Sequence, residues 1–137
     1  MTQLLQKISE IGLRRTECYG KCPVYKVVIL ANGSFLYIGE KHVQKLGKHT
    51  GKIRIWDLNK LFEFITEIGF MNLKDAYRNL ETDHSTTYTY IVLDGQKKEI
   101  KNYGDSGPAV LWALEELIDM LLSVAEWHPE NEILGLK

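Results

Sequence analysis

Cysteine is scarce in this sequence, an excess of either sign of charge is absent, and no long hydrophobic run occurs. Only two of the 137 residues are cysteine. A domain of this length buries about two thirds of its unfolded surface, so it needs neither a disulfide framework nor a structural metal. No apolar stretch approaches the roughly 20 residues of a membrane-spanning helix, and Met1 to Ile8 lacks a signal-peptide core, so the chain as written reads as cytoplasmic. A net charge of -1 excludes a globally basic nucleic-acid binder. There is no internal repeat, and 45% hydrophobic with 26% charged residues excludes a disordered chain. Residues 1–137 therefore read as one soluble domain, with a core over about 11–125 and a loosely attached tail over 126–137.

Charge is unevenly distributed. Residues 1–68 carry eleven Lys and Arg against six acids, whereas residues 69–137 carry six against twelve. Two complementary halves folding on each other would cancel much of this in space.

The stretch around which the chain is organised is Cys18-Tyr19-Gly20-Lys21-Cys22-Pro23-Val24-Tyr25. The glycine implies a tight bend, and the proline biases Cys22 toward extended backbone, so a compact turn feeds a strand. Ile11, Leu13 and Arg15 alternate with polar or small residues before the turn. Val24 to Leu30 after it carries the strongest strand signal and is expected at the sheet centre. Asn32-Gly33 is typical of a two-residue hairpin turn with positive dihedrals. Ser34 to Ile38 returns with Phe35 and Tyr37 on one face and Leu36 and Ile38 on the other. Alternation from Lys52 to Trp56 predicts a fourth strand. Asp57 then serves as N-cap of a helix whose stripe is Leu58, Leu61, Phe62, Ile65 and Ile68, ended by Gly69.

Phe70 to Glu81 is irregular, with Phe70, Leu73 and Tyr77 expected beneath the helix end. Thr86–Leu93, Asp94-Gly95 and Lys97–Tyr103 form a second hairpin. Ser106-Gly107-Pro108 opens a second helix with a wide apolar stripe from Val110 to Leu122, leaving Glu115, Glu116 and Asp119 on its exposed face. The order ββββαββα, without strand-helix-strand alternation, predicts an α+β fold: a mainly antiparallel sheet of about six strands with two amphipathic helices on one face.

The run Leu13-Arg14-Arg15-Thr16-Glu17-Cys18-Tyr19-Gly20-Lys21-Cys22-Pro23-Val24-Tyr25 with its Asn32-Gly33 hairpin resembles the bacterial family known as domain of unknown function 6438. The likeness continues through Val43, Gly47, Gly69-Phe70, Leu73, Tyr77, Thr82-Asp83, Thr86, Tyr103 and the helix Leu114 to Asp119. Ser85 stands where that family usually has a proline. The family has no established activity, so the resemblance implies the fold and assigns no catalytic residue or cofactor. Many of its members look exported or lipid-anchored, which this chain does not.

Three chemistries compete for Cys18 and Cys22. A structural pair, reduced or oxidised, fits a small loop that restrains little chain entropy. A redox dithiol is favoured by Lys21, but three residues intervene rather than two, and a strand rather than a helix follows. A zinc module would need further ligands from His42, His49, His84 or His128, none at finger spacing.

Other constellations fall short of a site. The basic segment with Lys41, His42, Lys45, Lys48, His49, Lys52 and Arg54 lacks interleaved aromatics and reads as a charged loop and edge, so no nucleic-acid partner is expected. Asp83-His84-Ser85 holds triad residue types on consecutive positions that point apart, and Asp83 reads as a turn residue. Gly104 to Pro108 precedes a helix but lacks a phosphate-loop lysine. The favoured expectation is a non-enzymatic module that binds a protein or small ligand through the open sheet face or the cysteine turn. Tyr37, Tyr88, Tyr90 and Tyr103 are candidates for that face, and Tyr19 and Tyr25 flank the turn.

Overall fold

A computed structural model describes residues 7–80 and 84–129 of the chain. Asp83 lies outside them. The strands are β1 (Ile8–Arg15), β2 (Val24–Leu30), β3 (Ser34–Lys41), β4 (Gly47–Lys52), β5 (Ala76–Tyr77), β6 (Thr86–Leu93), β7 (Gln96–Tyr103) and β8 (Glu126–Trp127), and the helices are α1 (Ile55–Glu67) and α2 (Ala109–Ser123). The fold is α+β. All eight strands form one sheet in the order β5-β7-β6-β1-β2-β3-β4-β8, antiparallel except where β5 pairs with β7. The expected hairpins are present, β1 and β2 are central, and the two additional strands are two-residue edge pieces.

Alternation along the strands separates two faces. Leu13 on β1 lies opposite Val27 on β2 and Thr89 on β6, and Val27 lies opposite Tyr37 on β3. These positions, with Ile11, Ile29, Phe35, Ile91 and Ile100, join Leu58, Leu61 and Ile65 of α1 and Leu111, Leu114, Ile118, Leu121 and Leu122 of α2 in one buried cluster. Each helix therefore buries an apolar stripe, as its spacing requires. None of the described helices is long and apolar enough to cross a membrane.

Five local expectations are corrected. The fourth strand lies at Gly47–Lys52, ahead of its expected place. Ile53 is fully buried, its N–H bonded to the Gly33 carbonyl at 2.9 Å, and the helix begins at once, with Arg54 rather than Asp57 as its N-cap. The alternation over Lys52–Trp56 spans a strand end and a helix start, and Ile55 and Trp56 are exposed. The Asn32-Gly33 turn has three loop residues: Gly33 alone takes a positive φ of 93°, and the Asn32 side chain accepts from Ser34 N–H at 2.9 Å. Asp94 and Gly95, at φ of 51° and 82°, form the two-residue turn that their sequence implies. Residues 126–127 are not loosely attached: Trp127 pairs with Gly51 and stacks edge-on against Phe35 and Tyr37, with centroids 4.8 and 5.2 Å away. Finally, Glu115 is fully buried rather than exposed.

Candidate functional site

Residues 16–23 bridge the ends of the two central strands, whose last pair is Arg15 with Tyr25. Cys18 and Cys22 are joined by a disulfide, their Cα atoms 5.8 Å apart, and the Gly20 N–H points at Cys18 Sγ. Tyr19, at the tip of this loop, is 87% exposed. Bonded to each other, the sulfurs present neither a thiolate nucleophile nor a metal ligand. Among the described residues no three His, Cys, Asp or Glu side chains gather as a metal site.

Beneath the loop, Arg15 points inward and organises a polar network. Its Nε donates to Tyr25 Oη at 3.0 Å, Nη1 to Thr87 Oγ1 at 3.3 Å, and Nη2 to Asp119 Oδ2 at 2.8 Å and Glu116 Oε2 at 3.4 Å. Tyr25 O–H in turn donates to the other oxygen of Asp119. Burial raises the Asp119 carboxyl above its usual value, and Arg15 opposes that shift. One helical turn earlier, Glu115 Oε2 accepts from Asn102 Nδ2 at 2.9 Å, and Asn102 Oδ1 accepts from Gly107 N–H at 2.9 Å. Burial pushes the Glu115 carboxyl up to about 7, against the lowering effects of Asn102 and Arg15. Its Oε1 is buried with no hydrogen-bond partner among the described residues.

Tyr25 and Asp119 of this network line a cleft of about 400 Å³ together with Tyr37, Gln44, Lys45, Leu122, Ser123 and Trp127. Tyr25 and Tyr37 stack with centroids 5.4 Å apart, and Trp127 stands edge-on to Tyr37. Trp127 Nε1 donates to the Leu122 carbonyl at 2.9 Å, which ties β8 to the end of α2. The loop after β3 folds back over the sheet at Gly39: a Cβ there would lie 1.9 Å from the Lys45 carbonyl oxygen. Only glycine admits that approach, and it brings Gln44 and Lys45 to the cleft mouth. Lys45 Nζ sits 4.8 Å from the centre of the Trp127 ring. Size, aromatic walls and a few converging polar groups are the usual attributes of a small-molecule site.

The tyrosines divide between faces. Tyr88, Tyr90 and Tyr103 lie on the face opposite the helices, half-buried. Tyr37, expected beside them, is buried on the helix-covered face because it sits opposite Val27, and Tyr25 shares that face. The open-face rings are engaged by their own chain. Arg14 lies 3.9 Å from the Tyr88 ring centre and Lys97 4.2 Å from that of Tyr90, whose hydroxyl donates to Glu10. Tyr103 Oη accepts from His84 N–H at 3.3 Å. Next to them the open face is aliphatic, with Val28, Leu30 and Leu36 around a shallow depression.

Among the residues weighed as triad or basic-patch candidates, His49 bonds through its ring to the Leu46 carbonyl, and His84 packs edge-on against Tyr103. Lys41 pairs with Glu17 at 2.9 Å and holds that carboxyl below its ordinary value.

Sequence reasoning missed Arg15, Glu115 and Asp119 as one cluster. A signal existed for Glu115: with Leu111, Ile118 and Leu122 it repeats at four, three and four residues, the spacing of a core stripe. No local pattern places Arg15 against α2, more than a hundred residues away in sequence. Compared with known families, residues 9–122 match the one described as Domain of unknown function (DUF6438). No curated protein and no solved structure matches the chain.

Proposed function

The chain belongs to the family of domain of unknown function 6438, and from that premise we propose that it is a binding module whose ligand site is the aromatic cleft between β2, β3, β8 and α2. The observation that carries this reading is the meeting of Tyr25, Tyr37 and Trp127 with Asp119, Gln44 and Lys45 around one cavity of about 400 Å³. Buried aromatic walls supply affinity, and the few polar groups set orientation. The open face is the weaker candidate, since its tyrosines already stack with Arg14 and Lys97. A fragment screen followed by two-dimensional NMR tests the proposal. Bound fragments should shift the indole signal of Trp127 ahead of those of Trp56 and Trp112. If every binding fragment maps to Val28, Leu30 and Leu36 instead, the open face is the site and the cleft reading fails.

A second reading, thiol redox chemistry at Cys18 and Cys22, is favoured by the disulfide lying in a loop whose tip is exposed. Equilibration in glutathione buffers decides it. A reduction potential between about -180 and -270 mV, the range of dithiol oxidoreductases, supports exchange, whereas one below roughly -300 mV marks a structural bond.

A further inference from the structure

We propose that the ligand of the aromatic cleft is a small organic anion, a carboxylate carried on an apolar body the size of one or two rings. The inference rests on the cleft being the ligand site and adds the ligand's chemistry. It follows from which polar groups around the cavity are already engaged. Asp119, the acidic group of the wall, has both oxygens committed, Oδ1 to the Tyr25 hydroxyl and Oδ2 to Arg15, so its charge is compensated from within the protein. Trp127 N–H is bonded to Leu122, and Ser123 O–H to Met120. Each of the groups that remain can donate, and the only charge among them is positive. Among the described residues the Tyr37 hydroxyl and the Gln44 amide have no hydrogen-bond partner. Lys45, with no carboxylate opposite it, rests on the face of the Trp127 indole.

A cavity offering a phenol O–H, an amide N–H and an ammonium group, with the charge of its carboxylate balanced by Arg15, is complementary to an anion's acceptor oxygens. Tyr25, Tyr37, Leu122 and Trp127 offer only apolar surface to the rest of the ligand. The arrangement orients an anion: its ring enters between the aromatics, and its carboxylate stays at the mouth, where Lys45 can swing from the indole face to meet it. An amine ligand would meet Lys45, among the described residues the one charge of the lining without a counter-charge, and beside it only neutral acceptors, the Gln44 carbonyl and the Tyr37 hydroxyl oxygen, because the charge of Asp119 is already balanced by Arg15.

Titrating isotope-labelled protein with benzoate, 3-phenylpropionate and indole-3-acetate, against benzylamine, tryptamine and benzyl alcohol, tests the assignment. The carboxylates should shift the Trp127 indole and Tyr37 signals and bind more weakly as salt is raised. Lys45→Met should weaken them roughly tenfold, and Tyr37→Phe, which keeps the ring and removes the hydroxyl, several-fold, while benzyl alcohol responds to neither charge nor salt. Both side-chain changes leave the aromatic packing in place, so loss of fold does not confound them. If the amines shift the same signals and the carboxylates do not, the anion assignment is overturned and the cleft remains a ligand site. If none of the six probes perturbs Trp127 or Tyr37, both readings fall.

Discussion

At the residue scale, the side chain with the largest expected effect on pH behaviour is Glu115. It is fully buried, one oxygen meets only the Asn102 amide, the other meets nothing among the described residues, and its carboxyl is raised to about 7. Below about pH 4.5 this group is protonated in both folded and unfolded chains and has no effect on stability through ionisation. Between that value and about 7 the unfolded chain releases the proton first, so stability falls as pH rises, and above 7 the loss is constant. The full loss is on the order of 3 kcal/mol. Glu115→Gln should therefore be more stable than the parent at pH 8, with the advantage shrinking toward zero near pH 4. Urea denaturation of both proteins across that range measures it. A constant difference at all pH values would show that Glu115 titrates as an ordinary carboxylate.

At the scale of elements, the cysteine loop has the small weight that its length implies, whereas the short β8 has more than its sequence suggests. The disulfide closes a loop with a sequence separation of only 4, so loop-closure entropy limits its stabilisation to about 2 kcal/mol. Reduction should lower the denaturant midpoint modestly while far-UV circular dichroism stays native, and unfolding on reduction would contradict a sheet held by its own core. Strand β8 is two residues long, yet its Trp127 covers Phe35 and Tyr37 and caps the end of α2. Trp127→Ala should cost about 3 kcal/mol, read as a fall in the thermal midpoint, and should abolish ligand binding in the cleft. A shift within experimental error would show that β8 is dispensable. The same elements explain why β4 escaped detection. Gly47-Lys48-His49-Thr50-Gly51-Lys52 has little strand propensity, and it is extended because β3 offers it an edge to pair with.

For the whole molecule, one buried cluster receives side chains from the central strands and both helices, so no part of the sheet has a private core. Unfolding should be a single cooperative transition: tryptophan fluorescence and far-UV circular dichroism should give coincident urea curves. Curves separated by more than their errors would mean that β6, β7 and α2 unfold apart from the first four strands. The charge asymmetry between the halves is met in part beside this core. Arg15 from the basic half closes on Asp119 and Glu116 of the acidic half, at 2.8 and 3.4 Å.

The sequence by itself determined the α+β class, the strand from Val24 to Leu30 at the sheet centre, both hairpins, both helix stripes and a compact turn at Cys18 to Pro23. Those features depend on period, propensity and turn residues, which act over a few neighbouring positions. Only the tertiary structure decided where β4 and β8 lie, which face Tyr37 occupies, that Glu115 is buried, and that Arg15 meets Tyr25, Thr87 and Asp119. Each of these depends on strand register or on the seating of α2, and a one-residue change of register moves a side chain to the other face. The cleft is built from such contacts. Its walls come from β2, β3, the loop after β3, α2 and β8, and packing rather than any local pattern brings them together.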